Sequence, residues 1–176
     1  MDFIDHTMNR LERIYETKCC SYKYFNNKSL QAILGKLVQR PADFDPKIVS
    51  QLMAIGNKCF SRFKTYEGTT MCTSDFYEGQ GRLDGAFCSY TPTQKIEYLE
   101  HLRSIDVKNI EMESTTFGAM CTAAKVPGGI ICCTLLDRIV GDQVLLTPSD
   151  YEEFQRRPQQ LAAEFIKRRL QELSGQ

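Results

Sequence analysis

The sequence predicts an α/β fold, because segments with strand and helix patterns alternate through the second half of its 176 residues. Two further observations support this class. Residues 130–136 are apolar except for Thr134, as expected of a central parallel strand that is covered on both faces. Asp45-Pro46 and Thr91-Pro92 are both typical helix starts, because proline presets the backbone angle of the first helical position.

The first half of the chain predicts two helices and a strand. An amphipathic helix is expected over residues 1 to about 20, and its apolar positions are Ile4, Met8, Leu11 and Tyr15. Residues 22–38 have no clear pattern. A helix is expected from Asp45-Pro46 through Cys59, and the Thr- and Tyr-rich residues 63–72 predict a strand.

The second half predicts three strands and three helices. We expect strands over residues 85–90, 107–112 and 130–136, and a small-residue helix over residues 114–125. The helix that begins at Thr91-Pro92 has the apolar positions Ile96, Leu99 and Leu102. Ser149 and Glu152 have the spacing of a capping box at the start of the last helix. Pro158 is expected to kink or restart that helix, whose apolar positions are Leu161, Phe165, Leu170 and Leu173.

Composition argues against several classes of protein. Lys+Arg and Asp+Glu are both 22, so no basic excess indicates a nucleic-acid partner. No apolar run is long enough for a membrane helix and the N-terminus has no signal-peptide pattern, so we expect a cytoplasmic location without a membrane partner. The eight cysteines are then expected to be reduced thiols. With no Cys-x-x-Cys and only two histidines, no metal site is expected.

Residues 75–82, Asp-Phe-Tyr-Glu-Gly-Gln-Gly-Arg, predict a loop that presents side chains to a ligand. Phe76 can stack on a flat ring, Gln80 offers an amide donor beside an acceptor, and Arg82 carries a fixed charge. These groups could read the edge of a nucleobase with alternating C=O and N–H groups. The alternative is a surface turn with a solvated arginine.

Acidic and basic side chains also fall at the ends of two predicted strands. The strand of residues 107–112 ends at Glu111-Met112-Glu113, and Asp137-Arg138 follows the apolar run. Ligands of α/β sheets bind beyond the carboxyl ends of the strands, which indicates a site. Alternatively, both glutamates are acids that favour a helix N-terminus. His6 and His101 are interpreted as surface or packing residues.

Three stretches together, residues 70–85, 109–114 and 135–143, resemble the animal uridine phosphorylases of the nucleoside phosphorylase family. The resemblance runs from about residue 25 to the C-terminus. It implies a partial three-layer nucleoside-phosphorylase-like core with a mixed, largely parallel sheet flanked by helices. It also implies reversible phosphorolysis of uridine to uracil and ribose 1-phosphate in pyrimidine nucleoside salvage, by a pentosyltransferase with inorganic phosphate as co-substrate and no cofactor.

The resemblance also implies roles for individual residues. Phe76 would pack against uracil, Gln80 would pair with its N3–H and O2, and Arg82 would face its carbonyl oxygens. Glu113 would accept hydrogen bonds from the ribose hydroxyls, and Met112 would lie against the sugar. Residues with supporting roles would be Leu135 and Leu136, which line the base pocket, and Arg138, which supports a base carbonyl. Arg82 and Glu113 are the catalytic candidates, since one stabilises the leaving uracil and the other the ribose cation.

The sequence departs from the family pattern in two ways. Neither the Gly-Asp-Pro-x-Arg phosphate loop nor the later Gly-rich segment with another arginine occurs, and residues 1–24 are interpreted as a divergent helix before a domain of residues 25–176. Because these phosphate-binding motifs are absent, we expect the chain alone to release no measurable uracil.

Asp137 stands where uridine-type members usually have Asn, which leaves the base preference open. The alternative to an enzyme is a truncated, non-catalytic form that binds nucleoside or pairs with a full-length subunit, and a homodimer is also expected.

Overall fold

A four-stranded mixed sheet forms the centre of the protein. The computed structural model describes residues 17–24 and 28–175. Its strands are β1 (Thr17–Tyr24), β4 (Thr65–Cys72), β5 (Val107–Glu111) and β6 (Ile130–Cys133). They have the order β5-β4-β1-β6, in which β1 pairs in parallel with β4, β4 in parallel with β5, and β6 antiparallel with β1. The α/β class and the largely parallel sheet are thus confirmed.

A separate antiparallel hairpin and four α-helices complete the described part of the chain. The hairpin consists of β2 (Lys28–Ile33) and β3 (Lys36–Pro41). The helices are α1 (Pro46–Cys59), α2 (Pro92–Ser104), α3 (Ser114–Ala124) and α4 (Pro148–Ser174). None of these helices combines the length and the apolar character that a bilayer crossing requires.

The helix predicted over residues 1 to about 20 is wrong for its last part, because Thr17–Tyr24 is strand β1. β1 lies inside the sheet and pairs with β4 on one side and with β6 on the other. This pairing with distant segments outweighs the local helix pattern. The sheet thus begins before the predicted boundary at residues 24 and 25. Residues 1–16 lie outside the described part of the chain.

The strand predicted over residues 130–136 is shorter than expected and is not central. β6 spans Ile130–Cys133, lies at the edge of the sheet, and runs antiparallel to β1. Its residues are half-buried. The apolar run therefore continues beyond the strand into the loop that contains Leu135 and Leu136.

Other local predictions have mixed outcomes. The strand predicted over residues 85–90 is wrong, since this segment is an irregular loop. Ile96 is 37% exposed, whereas Leu99 and Leu102 are buried as expected. The cap of α4 is Thr147, whose Oγ1 accepts from the backbone N of Asp150 at 3.2 Å. The proposed Ser149 capping box is therefore wrong.

Two helix starts that the sequence predicts are confirmed by their hydrogen bonds. Asp45 Oδ1 accepts from the backbone N of Lys47 at 2.7 Å, which caps α1. Thr91 and Gln94 exchange hydrogen bonds in a capping box at the start of α2. The starts of α1 and α2 depend on neighbouring residues alone, which is why the sequence predicts them well.

α4 continues through Pro158 without an interruption.

Three buried clusters hold the helices on the sheet. Leu52 and Ile55 of α1 meet Leu161 of α4. Ala42 and Phe44, which follow the hairpin, pack against α3. Residues of the third cluster are Met71, Leu99 and Leu102, which fix α2 against β4. This last contact places the second half of α2 against the end of β4.

Candidate functional site

The candidate site begins where the parallel strands β4 and β5 end together. The backbone N of Thr73, just after β4, donates to the carbonyl oxygen of Glu111 at 2.9 Å. Thr115 also contacts Cys72, with 3.2 Å between Oγ1 and Sγ. The loop of residues 75–82 and the acidic stretch of residues 111–113 therefore leave the sheet side by side, as the sequence predicts.

The loop after β4 is held by its own polar groups. Thr73 Oγ1 donates to the carbonyl oxygen of Asp75 at 2.9 Å, and Asp75 Oδ2 accepts from the backbone N of Gly79 at 2.6 Å. A short 3₁₀ turn spans Glu78–Gln80 and ends at Gly81, whose φ is +64°. A Cβ at residue 81 would meet Tyr98 Cδ1 at 3.0 Å, so both the angle and the space favour glycine.

Gln80 is buried at 6% exposure, so it is not a solvated turn residue. Its Nε2 donates to Thr73 Oγ1 at 3.2 Å. Because Thr73 Oγ1 accepts this bond, the amide is held with its nitrogen toward Thr73. The other amide N–H and Oε1 are the donor and the acceptor that would form hydrogen bonds with the edge of a ligand.

Arg82 is also buried, at 7% exposure. Its Nε and Nη2 bind Asp84 Oδ1 and Oδ2 at 2.8 and 2.6 Å, which is a bidentate ion pair. This hydrogen bonding raises the pKa of Arg82 above its ordinary value, against the lowering effect of burial, and holds the pKa of the Asp84 carboxyl below its usual range. The guanidinium lies over the ring of Phe76, which is 46% exposed.

Arg138 joins the loop after β6 to the loop after β4. Its Nη2 donates to the carbonyl oxygen of Gln80 at 2.9 Å, and its Nε donates to Asp142 Oδ1 at 3.0 Å. The structure therefore brings together four of the predicted site residues: Phe76, Gln80, Arg82 and Arg138. The burial and the ion pair of Arg82 do not fit the solvated arginine of the alternative interpretation, and a role of these four residues in ligand binding stays a prediction.

Sequence reasoning missed three charged residues in this group. Asp84 holds Arg82, and Asp142 accepts from Lys95 Nζ at 2.8 Å. The side chains of Lys95 and Asp142 are only 6% and 8% exposed. The four-residue spacing of Arg138 and Asp142 was a local signal, but Lys95 is far from both in sequence. Within this hydrogen-bonded group, three cations face two carboxylates, which leaves one excess positive charge.

The two glutamates at the end of β5 have different surroundings. Glu111 Oε2 accepts from the backbone N of Glu113 and of Ser114 at 2.9 and 2.8 Å, and Oε1 accepts from the Ser114 hydroxyl. Glu111 therefore caps α3, as the alternative interpretation proposed. Glu113 is exposed, and its Oε2 accepts from the backbone N of Met112 at 3.2 Å. Its carboxylate is thus open to a ligand, beside the half-buried Met112.

The loop after β6 contains the remaining predicted residues. Leu135 and Leu136 are half-buried, and the preceding Thr134 has a buried Oγ1 without a hydrogen-bond partner among the described residues. Asp137 Oδ1 accepts from the backbone N of Ile139 at 2.9 Å. This bond gives Asp137 a part in shaping the turn. Between residues 28 and 175, no three metal-binding side chains are grouped closely enough to hold an ion.

Comparisons with known proteins agree on one family. The model of the family described as the Phosphorylase superfamily matches residues 2–171. Uridine phosphorylase 1 of Mus musculus is 48% identical over 141 residues, which cover 80% of this chain and 45% of the mouse protein. Uridine phosphorylase 2 of Homo sapiens is 44% identical over 147 residues, which cover 84% of this chain and 46% of the human protein.

Solved structures give the same result for the fold. A crystal structure of uridine phosphorylase from Schistosoma mansoni in complex with thymidine superposes with a TM-score of 0.81 at 27% identity. The match covers 88% of this chain and 57% of the solved chain. The chain thus spans about half the length of the proteins that it matches, and its α/β core is part of theirs.

Proposed function

This chain belongs to the phosphorylase superfamily, and we propose that it carries the nucleoside-binding part of a uridine phosphorylase site. The reaction is the phosphorolysis of uridine to uracil and ribose 1-phosphate in pyrimidine nucleoside salvage. One observation carries this proposal: a buried glutamine and a buried, ion-paired arginine lie with an aromatic ring where β4 ends.

The hydrogen-bonding groups on the edge of uracil match these side chains. Gln80 Oε1 would accept from N3–H of the base, and the amide N–H that does not face Thr73 would donate to O2. Arg82 and Arg138 would stabilise the carbonyl oxygens, while Phe76 packs on the ring. The half-buried Leu135 and Leu136 would line the rest of the pocket.

The charges suit the chemistry of the bond that breaks. Cleavage leaves electron density on uracil and positive charge on the ribose. The excess positive charge of the group around Arg82 would stabilise the first, and the exposed carboxylate of Glu113 would hold the ribose hydroxyls and stabilise the second. Arg82 and Glu113 are therefore the proposed catalytic residues.

Inorganic phosphate is the proposed co-substrate, without an organic cofactor or a metal. A phosphate dianion needs several donors, such as arginines and the backbone N–H groups of a Gly-rich loop. The Gly-Asp-Pro-x-Arg motif does not occur among the 176 residues. We therefore propose that the chain alone binds uridine without measurable turnover, and that it associates with a second copy or with a full-length relative.

Two measurements on the purified chain test this proposal. Calorimetric titration should show binding of uridine, and adenosine is the control because its base has neither a carbonyl oxygen nor a ring N–H on its edge. An assay of uracil release should show no phosphate-dependent product from the chain alone, but product above the partner's own rate when a catalytically weakened full-length relative is added. A chain that binds neither uridine nor uracil would overturn the assignment of the site. Robust turnover by the chain alone would overturn the part of the proposal that concerns phosphate.

A further inference from the structure

Asp142 connects three segments of the candidate site. Its Oδ1 accepts from Lys95 Nζ at 2.8 Å and from Arg138 Nε at 3.0 Å, and its Oδ2 accepts from the backbone N of Leu83 at 3.0 Å. Its own carbonyl oxygen accepts from Arg82 Nη2. Building on the proposed function, we propose that Asp142 is the positioning residue that sets Arg82 and Arg138 against the nucleobase.

Burial makes these contacts important for the site. The side chains of Lys95, Asp142 and Arg138 are 6%, 8% and 12% exposed, so water cannot replace a lost partner at low cost. Each carboxylate oxygen of Asp142 receives at least one donor. These hydrogen bonds therefore fix the position of the carboxylate, and the carboxylate in turn fixes the groups that donate to it.

The two arginines depend on Asp142 in different ways. Arg138 is held directly, because its Nε binds the Asp142 carboxylate while its Nη2 binds the carbonyl oxygen of Gln80. Arg82 is held by Asp84 and by the backbone of residue 142. A substitution of Asp142 should thus displace Arg138 directly. It should displace Arg82 only indirectly, through the backbone of the loop.

Asp142→Asn is the sharpest test, since it keeps the shape and removes the charge. The new amide nitrogen is a donor that would face Leu83 N–H, or Lys95 and Arg138, in either orientation of the amide. We expect the affinity for uridine to fall about 10-fold to 150-fold, as when one charge-assisted hydrogen bond is lost. The Arg138 Nε–H signal in ¹⁵N NMR spectra of the ligand-free chain should shift or lose its protection from exchange.

Two further variants keep the test decisive if Asp142→Asn does not fold. Arg138→Lys retains the positive charge but cannot bind Asp142 and Gln80 with one planar fork, so affinity should fall about 2-fold to 12-fold. Glu153→Gln is the matched control, because Glu153 pairs with the buried Arg157 on α4, away from the site. This control should change stability and leave the affinity for uridine unchanged.

The outcomes separate this inference from the proposed function. If the wild-type chain binds no uridine, the proposed function is overturned, whatever the arginine spectra show. If the wild-type chain binds uridine and Asp142→Asn binds it equally well, with an unchanged Arg138 signal, only the inference about Asp142 is overturned. Equal affinities of wild type and Arg138→Lys would overturn it as well.

Discussion

The guanidinium of Arg82 lies over the ring of Phe76, with its Cζ 4.3 Å from the ring centroid. Asp84 holds the guanidinium in this place through two hydrogen bonds. The ring of Phe76 is therefore fixed beside a buried cation, while 46% of the residue is exposed. This arrangement combines a surface for stacking with a charge that favours electron-rich oxygens.

Phe76→Ala should weaken binding of both uracil and uridine. Stacking of a base on an aromatic side chain contributes about 1–3 kcal/mol, and the variant loses that contact. Calorimetric titration of both ligands measures the effect. Phe87→Ala is the control, because Phe87 lies in the same connection between β4 and α2 and is 81% exposed. Equal losses in the two variants would show that Phe76 has no specific role.

Gln80→Ala should reduce the preference for uridine over cytidine. The amide is expected to accept from N3–H, which cytidine lacks, and to donate to O2, which both bases carry, so uridine should lose more affinity than cytidine. The ratio of the two dissociation constants should fall about 2-fold to 12-fold, the worth of an ordinary hydrogen bond. Gln155→Ala, on the exposed side of α4, provides the control. An unchanged ratio would contradict the assignment.

Glu113→Gln should weaken binding of uridine without weakening binding of uracil, because the proposed contact is with the ribose. The exposed carboxylate has few contacts within the chain, so the free energy of unfolding should hardly change. Titration with both ligands, together with urea unfolding, measures these effects. A parallel loss for uracil and uridine would place Glu113 in another role.

Glu111→Gln should give the opposite pattern. Glu111 caps α3 through Glu113 N, Ser114 N and the Ser114 hydroxyl, and loss of a cap costs about 0.5–2 kcal/mol. The variant should therefore be less stable in urea. Uridine affinity, corrected for the folded fraction, should stay close to that of the wild type. A variant with unchanged stability would show that the cap contributes little.

The sequence predicts well those elements that depend on neighbouring residues. Asp45 and Thr91 cap α1 and α2 with groups two or three positions away. Strands β1 and β6 were harder, because their pairing joins segments more than a hundred residues apart and no local pattern records the partner. The same reason explains why a helix was expected where β1 begins.

The candidate site shows the same division. Phe76, Gln80 and Arg82 lie on one short loop, so their residue types marked them as candidates, and the resemblance assigned their roles. Asp142 was missed because its role arises only when Leu83, Lys95 and Arg138 meet in the folded chain. The resemblance assigned the ribose contact to Glu113 and not to Glu111, and their different hydrogen bonds appear only in the folded chain.

The stabilising effect of Asp142 should disappear in acid. Burial by itself raises the pKa of this carboxyl, but hydrogen bonds from Lys95, Leu83 and Arg138 outweigh it, so the pKa lies below the ordinary value. A depressed native pKa means that the unfolded chain binds the proton more readily, so the stabilisation is present above about pH 4 and is lost as the pH falls through the native pKa.

Urea unfolding of the wild type and of Asp142→Asn between pH 7 and pH 3 measures this dependence. The difference in the free energy of unfolding should be constant from pH 7 to about pH 5 and should shrink below about pH 4. Gln155→Ala, which removes no titratable group, serves as the control for acid effects elsewhere in the chain. A difference that shrinks already between pH 7 and pH 5 would show that the pKa of Asp142 is raised instead.

The most direct test of the proposed base site is a titration of uridine into the wild-type chain and into Arg82→Ala. Arg156→Ala is the matched control, since its side chain is 62% exposed and pairs with Glu152 on α4. We predict that Arg82→Ala binds uridine about 1.5–3 kcal/mol more weakly than the wild type, because a charge-assisted hydrogen bond to the base is lost. Arg156→Ala should bind as the wild type does. Equal affinities of the wild type and Arg82→Ala would contradict the proposal that this loop holds the nucleobase.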